Sequence, residues 1–168
     1  LRSIVSGFQS IKLEENKIIV SGGQENMSRA PHALFYRENK ILDESKLIDT
    51  MINDGLTDAF KKYHMGVTAE NVAKKFKISR QEQDKFALSS QRKAEIAVST
   101  KKFDDELIKI NQNGIILDKD EHPREGLELS DLEKLKTVFK DDGTVTPGNS
   151  SGINDGAAAL ILTNFQDA

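Results

Sequence analysis

The stretch from Thr144 to Leu162 constrains the fold more than any other part of the chain. Its first half combines one proline and three glycines with hydroxyl and amide side chains, which is typical of a backbone that turns tightly. Its second half, 157–162, is an unbroken apolar run of strand length. The pattern predicts a tight polar loop leading into a strand buried on both faces, a common place for a ligand.

The N-terminal residues predict half of an α/β unit. Apolar residues between 1 and 13 recur at spacings of three and four, as in a helix that packs through one face. Residues 17–20 are β-branched or basic and are followed by Gly22 and Gly23, which predicts a strand that ends in a turn. Residues 30–36 are expected to form a loop because of their proline, and 42–56 are equally compatible with helix and coil.

The middle of the chain predicts two further helices. Residues 69–76 carry apolar side chains on one helical face, with Thr68 as a plausible N-cap. Ser79–Glu82 has the pattern of a capping box, in which a hydroxyl and a carboxylate satisfy the first free amides of a helix. That helix is expected to run to about Thr100 and to bury Phe86, Ser90, Ala94 and Ala97 or Val98.

A hairpin and a last helix are predicted before the opening stretch. Asn113–Gly114 lies between two short apolar segments and favours the positive backbone angles of a tight hairpin turn. Ser130–Glu133 has the pattern of a second capping box, and Leu132, Leu135 and Phe139 continue its apolar face toward Lys140. Helices are therefore expected to dominate the middle section.

Charge and composition exclude several classes of function. The formal net charge is −3 and the basic residues are spread among acids, so no nucleic-acid surface is expected. No apolar run has membrane length, and a soluble, cytoplasmic protein is the expectation. The chain has no cysteine, hence no disulfide, thiolate metal site or thiolate nucleophile of its own. No phosphate-loop motif or histidine pair with zinc spacing is present, so no metal is expected.

Four segments carry a resemblance to a known family. They are Val20–Ser28, Tyr63–Asn71, Ser79–Gln91 and 146–159, which reads Thr-Pro-Gly-Asn-Ser-Ser-Gly-Ile-Asn-Asp-Gly-Ala-Ala-Ala. In this order they resemble segments of the thiolases, the acetyl-CoA acetyltransferases of the short-chain biosynthetic type. The resemblance covers nearly the whole chain, and four ordered matches are far more specific than one motif.

The resemblance implies an α/β fold with the thiolase-like αβαβα core. Residues 1–22 would be a helix and strand of the N-terminal core domain, 23–153 the helix-rich loop domain that binds coenzyme A, and 154–168 the return strand of the core. Leu1 and its next residues are similar to the segment on the C-terminal side of the nucleophilic cysteine in this family. The polypeptide is therefore expected to begin before Leu1.

The activity implied is the reversible Claisen condensation of two acetyl-CoA molecules to acetoacetyl-CoA, within fatty acid metabolism. Coenzyme A and acetyl-CoA would be substrates, no cofactor is implied, and family members are usually homo-oligomers. No catalytic residue can be assigned here, because the family's nucleophilic and acid–base cysteines and oxyanion groups are expected outside 1–168. The alternatives are a truncated, inactive coenzyme A-binding or interaction module, and a helical scaffold that is similar in structure only.

The resemblance implies nine residues that bind coenzyme A: Leu56, His64, Met65, Arg124, Leu135, Val138, Phe139, Pro147 and Ser151. His64 and Met65 would lie by the pantetheine and acyl end. Arg124 and Leu56 would lie by the nucleotide. Pro147 and Ser151 would approach the pantetheine amides.

Each of these residues also has a purely structural interpretation. His64 could be a satisfied loop histidine, Arg124 a solvated loop arginine, and Leu135 an ordinary core residue. The loop at Pro147 could be only a tight turn into a strand. Asp131 departs from the family pattern, which often has a small hydroxyl residue there, and its charge would repel a phosphate.

Overall fold

The computed structural model describes residues 1–35, 37 and 47–168. Its elements in chain order are α1 (Arg2–Lys12), β1 (Ile18–Asn26), a 3₁₀ turn (Met27–Arg29), β2 (His32–Ala33), β3 (Ile48–Asp49), a π-helical turn (Met51–Gly55), α2 (Met65–Phe76), α3 (Arg80–Ser99), β4 (Ile110–Gln112), β5 (Ile115–Leu117), α4 (Leu129–Glu133) and β6 (Asp155–Thr163). Tyr36 and 42–46, parts of the predicted loop and of the weakly patterned segment, lie outside the described residues. Within the described residues no helix is long and apolar enough to span a bilayer.

The chain divides into two compact units. The first contains 1–51 and 153–168, and is called the strand unit here; the second contains 52–152, and is called the helical unit. The helical unit lies within the predicted loop domain, 23–153. The functional boundaries of that loop domain stay a prediction.

In the strand unit, β1 and β6 pair antiparallel from Ile18↔Thr163 to Asn26↔Asp155. The predicted turn at Gly22 and Gly23 is wrong, because the strand continues through both glycines. Gly22 lies against the partner strand so closely that a Cβ atom would come within 2.6 Å of the Ala158 carbonyl oxygen. The glycine here permits close backbone approach and does not end the strand.

The predicted burial of 157–162 on both faces is also wrong. Most of β6 is exposed, with Ile161 at 74%. Helix α1 lies within the segment 1–13 whose pattern predicts a helix, and it packs on β1 and β6 through Gly7. A Cβ atom at Gly7 would meet Ser21 and Leu162, which shows how near the helix lies to both strands. The antiparallel pair of β1 and β6, called the ribbon here, therefore has α1 on one face. Each of its two strands has one partner strand among the described residues.

In the helical unit, α2 begins earlier than the sequence pattern predicts. Its N-cap is His64, whose Nδ1 accepts a hydrogen bond from the backbone N–H of Gly66 at 2.9 Å. The predicted cap, Thr68, lies inside the helix. An imidazole nitrogen here replaces the hydroxyl or carboxylate oxygen that usually caps a helix, so the capping pattern did not reveal it.

The capping box at Ser79 is confirmed. Glu82 accepts from the Ser79 backbone N–H at 2.7 Å, and the Ser79 hydroxyl accepts from the Glu82 N–H. The predicted buried face of α3 is wrong, because Phe86 is 78% exposed and Ser90 is exposed, whereas Asp84 and Leu88 are buried. Ala94 and Ala97 are half-buried. Asp84 is buried because Arg80 and Asn149 donate hydrogen bonds to its carboxylate.

The hairpin is confirmed, and the last predicted helix is not. Asn113 and Gly114 have φ of 54° and 85°, as a tight two-residue turn between β4 and β5 requires. Helix α4 is capped by Glu128 and ends at Glu133, so the predicted capping box at Ser130 and the run to Lys140 are wrong. Beyond α4, the Val138 N–H donates to the Val145 carbonyl instead of to a helical partner.

Candidate functional site

The helical unit contains a pocket of about 220 Å³ between α3, α4 and the loop at Pro147. Its walls come from four separate segments of the chain. The lining residues are Gln91, His122, Arg124, Leu127, Asp131, Leu132, Leu135, Pro147, Gly148 and Ser150. Three residues predicted to bind coenzyme A, namely Arg124, Leu135 and Pro147, therefore lie in one pocket.

Arg124 reaches the pocket because its loop is tied to α3. Its backbone N–H donates to the Gln91 side-chain oxygen at 3.1 Å. The Arg124 side chain is exposed, so its guanidinium is available to pair with an anion or to stack on a planar ring. Gln91 was the last residue of a matched segment, but the sequence did not identify it as part of the site.

The apolar wall forms where α4 meets the loop at Pro147. A Cβ atom at Gly148 would come within 2.5 Å of Leu132 and 2.6 Å of Leu135, so the glycine lets the loop lie directly on these side chains. Leu132 is buried and Leu135 is half-buried. The pocket thus has one wall of leucine methyl groups and one of proline and glycine backbone.

Asp131 adds a negative charge to the same pocket. Its carboxylate accepts from the Glu128 backbone N–H at 3.2 Å and lies 3.5 Å from the Lys134 ammonium nitrogen. These contacts hold the carboxylate at the start of α4, where the helix dipole favours an anion. The pocket consequently combines one arginine with one fixed carboxylate.

A second cluster forms at the start of α2. The His64 and Phe139 rings stack with centroids 4.7 Å apart and an interplanar angle of 23°. Phe139 also lies against Gly66, where a Cβ atom would overlap the ring. Because Nδ1 of His64 accepts from Gly66, Nε2 carries the proton of the neutral ring and is a hydrogen-bond donor.

The remaining residues predicted to bind coenzyme A do not line the first pocket; they are Leu56, Met65, Val138 and Ser151. The Met65 N–H donates to the Leu56 carbonyl at 2.7 Å, which joins these two residues across a turn. Val138 is 56% exposed, and its backbone pairs with Val145. Ser151 is exposed, whereas its neighbour Ser150 lines the pocket.

Glu70 supports the start of the loop that forms the pocket wall. Its buried carboxylate accepts from the backbone N–H groups of Thr144 and Val145 and from the Thr144 hydroxyl, all at 2.8–3.0 Å. Burial alone raises the pKa of Glu70, but the hydrogen bonds from Val145 and Thr144 outweigh it and hold the pKa below its ordinary value. The sequence did not identify this role.

Asp84 supports the end of the same loop. It is wholly buried, and it accepts from the Arg80 Nε at 2.7 Å and from the Asn149 Nδ2 at 2.9 Å. The sequence pattern contained one signal for this contact. Arg80 and Asp84 are four residues apart, the spacing of an ion pair on a helix surface. The pattern could not show that the Asp84 carboxylate is buried whereas Arg80 is only half-buried.

A neighbouring pocket of about 290 Å³ shares Arg124 but has a different character. Four carboxylates line it, from Glu95, Asp120, Glu121 and Glu125, against only two basic side chains, Lys119 and Arg124. So many negative charges disfavour an anionic ligand. The first pocket is therefore the better candidate for a ligand that carries phosphate.

Comparison with known proteins supplies the family. Residues 1–166 match the family model described as Thiolase, N-terminal domain. An acetyl-CoA acetyltransferase of Rhizobium meliloti (strain 1021) is 48% identical over 172 residues, covering all of this chain and 44% of that protein. A cytosolic acetyl-CoA acetyltransferase of Rattus norvegicus is 47% identical and is covered to the same 44%. The chain thus spans less than half the length of these relatives.

Solved structures point to the same family as the sequence comparisons. An acetyl-CoA acetyltransferase from Syntrophomonas wolfei superposes with a TM-score of 0.90 at 37% identity, over 98% of this chain and 42% of that one. Human mitochondrial 3-ketoacyl-CoA thiolase in complex with CoA gives a TM-score of 0.88 at 40% identity, over 98% and 42%. The sequence resemblance and the α/β fold class predicted from it are confirmed. By family model, sequence and structure alike, the chain belongs to the thiolase family.

Proposed function

We propose that this chain is the coenzyme A-binding part of an acetyl-CoA acetyltransferase, which condenses two acetyl-CoA molecules to acetoacetyl-CoA and CoA and catalyses the reverse thiolysis. One observation carries the proposal. Arg124, Leu135 and Pro147 are expected from the resemblance to bind the coenzyme, are distant in sequence, and line the same pocket. The names of the relatives at 47–48% identity support the same reaction.

The chemistry of the pocket suits the coenzyme. A guanidinium pairs with phosphate oxygens and stacks on adenine, so Arg124 is suited to the nucleotide end. Leu132 and Leu135 offer apolar contact to a base or a methylene chain, and the backbone around Pro147 can hydrogen-bond an amide. Asp131 opposes phosphate, so its effect is to weaken binding of that group.

The second cluster suits the other end of the coenzyme. His64 is held by the Gly66 N–H and by stacking on Phe139, so its free Nε2 is a preoriented donor for a pantetheine or acyl carbonyl. Met65, Leu56 and Val138 would complete the apolar surroundings. In this proposal His64 binds and orients, and it transfers no proton.

The remaining chemistry is assigned to other parts of the protein. The chain contains no cysteine, so the thiolate that accepts the acyl group would come from residues outside 1–168. We further propose no cofactor, a homo-oligomer, a role in fatty acid metabolism, and a cytoplasmic location, the last supported by the cytosolic relative.

Calorimetric titration of the protein with coenzyme A tests the proposal through Arg124→Ala. Loss of a charge-assisted contact is expected to weaken binding by about tenfold or more. Arg92→Ala is the matched control, because Arg92 is an exposed arginine on α3 close to Gln91. Its affinity is expected to change less than about twofold.

Two results would overturn the assignment. A folded protein that does not bind coenzyme A has no such site, and the scaffold interpretation would replace the proposal. Equal weakening by both arginine variants would show a general charge effect and no specific contact at Arg124. Binding without turnover of acetoacetyl-CoA would instead favour an inactive coenzyme A-binding module.

A further inference from the structure

We propose that Arg80, Asp84 and Asn149 form a positioning network that sets the width of the coenzyme pocket. The inference rests on the proposed function, since it concerns the same pocket. None of the three residues is among those that line the pocket in the described part of the chain. They act through the two segments that do, one at the end of α4 and the other at Pro147–Gly148.

The first half of the network holds α4. The Arg80 Nη2 donates to the carbonyls of Leu132 at 2.6 Å and Leu135 at 3.0 Å. The Leu132 carbonyl also accepts from the Leu135 backbone N–H at 3.0 Å, so the guanidinium adds a second donor to a carbonyl at the helix C-terminus. Leu132 and Leu135 both line the pocket, and the contact fixes the place where their side chains begin.

The second half holds the loop. The Asn149 Nδ2 donates to the Thr144 carbonyl at 3.0 Å, and its Oδ1 accepts from the Thr146 N–H at 2.8 Å. These two bonds close the loop around Pro147 and Gly148, which line the same pocket and lie against the two leucines. Asn149 does not line the pocket itself, and it therefore stabilises this part of the lining through the loop backbone.

Asp84 joins the two halves. One oxygen accepts from Arg80 and the other from Asn149, so a single buried carboxylate fixes both walls relative to α3. The loop and the two leucines already lie in contact, because a Cβ atom at Gly148 would collide with Leu132 and Leu135. A shift of either half would change the pocket directly, and well-supported ligand sites depend on such outer contacts.

The test uses two variants that keep the Asp84 carboxylate. Asn149→Ala releases the loop and leaves the Arg80 ion pair. Arg80→Lys keeps a cation beside Asp84 but loses the guanidinium, whose Nε binds Asp84 while its Nη2 binds the two carbonyls. Ser79→Ala is the control, since it removes the α3 cap and lowers stability without touching the network.

Affinity for coenzyme A is compared at temperatures equally far below each variant's unfolding midpoint. Asn149→Ala and Arg80→Lys are each expected to weaken binding by about tenfold, with Ser79→Ala within about twofold. Hydrogen exchange without ligand should become faster in 144–150 for Asn149→Ala, and remain unchanged there for Ser79→Ala.

The outcomes separate the two proposals. Binding by the wild type that both network variants leave unchanged would overturn the positioning role and leave the proposed function intact. Weakening by Ser79→Ala as large as that by Asn149→Ala would also overturn it, because general stability would then explain the effect. No binding by the folded wild type would overturn both.

Discussion

Each of the two units is stabilised internally by a different kind of contact. In the helical unit, buried side chains bind distant backbone groups, as Glu70 does at Thr144 and Val145. In the strand unit, backbone pairs from Ile18 to Asn26 provide the connection, while side chains such as Val20 and Ile161 remain exposed. A few buried polar groups stabilise the helical unit, and close backbone approach stabilises the strand unit.

The two units are therefore sensitive to different kinds of substitution. A backbone ladder continues when one side chain changes, provided that the strands can still approach each other. A buried carboxylate cannot be removed so easily, because the N–H groups that it satisfied remain buried without a partner. Polar truncation should therefore damage the helical unit most, and added volume should damage the strand unit most.

The largest effect is expected for Glu70→Ala in the helical unit. Loss of the carboxylate leaves the Thr144 and Val145 N–H groups unpaired and should cost about 3 kcal/mol of local stability. Hydrogen exchange of peptides covering 144–150, converted to opening free energies, measures the loss. Glu95→Ala is the control, because Glu95 is exposed, and should stay within about 0.5 kcal/mol. Equal effects of the two variants would show that burial of the Glu70 carboxylate does not determine the stability of this loop, and the contrast with the strand unit would fail.

A smaller effect is expected for Gly22→Ala in the strand unit. The new Cβ atom would lie 2.6 Å from the Ala158 carbonyl oxygen, and relief requires movement of the partner backbone. Overpacking of this kind should cost about 2 kcal/mol, measured by hydrogen exchange of 18–26. Gly23→Ala is the matched control, since nothing lies within 4 Å of its Cβ position. A neutral Gly22→Ala would show that the ribbon is not held by close approach.

The smallest effect is expected from acid. Because the folded pKa of Glu70 lies below its ordinary value of 4.5, its contribution is present above that value and is lost as pH falls through the folded pKa. The free energy of unfolding of the wild type should fall below pH 4.5 more steeply than that of Glu70→Gln, by at most about 1.4 kcal/mol per pH unit. Identical slopes would mean that Glu70 does not carry the acid sensitivity of this loop.

Asp155 in the strand unit responds to acid in the same direction. Hydrogen bonds from the Ser28 hydroxyl and backbone N–H to its carboxylate lower the pKa of Asp155. The group is exposed, so solvent screens the interaction more than it does at Glu70. The two carboxylates thus extend the comparison, since the same chemistry should matter less at the surface of the ribbon.

Local elements were largely predictable from the sequence. Helix α1, the Ser79 capping box and the hairpin at Asn113–Gly114 appear where the patterns predict them. Each depends on residues no more than a few positions apart, so the responsible interactions are visible in a short window. The family resemblance likewise rested on short segments, and it predicted coenzyme-binding roles for Arg124, Leu135 and Pro147, which line one pocket.

Most of the wrong predictions were overridden by contacts that lie outside the local sequence. The local pattern favours a turn at Gly22, burial of Phe86 and a cap at Ser130, and each residue type fits its role locally. What decided otherwise was a contact from elsewhere, such as β6 against Gly22. The cap of α4 is the exception, because Glu128 and Asp131 are only three residues apart. At the other end of α4, the bonds from Arg80 to the Leu132 and Leu135 carbonyls join residues 52 and 55 positions apart.

The sequence alone determined the family, the absence of a cysteine nucleophile within the chain, and most of the helices and turns. Which polar groups are buried depends on contacts between segments that are distant in sequence. Glu70 and Val145 are separated by 75 positions, and Asp84 and Asn149 by 65. Burial of a carboxylate is favourable only when such distant donors meet it, and no local pattern specifies that meeting.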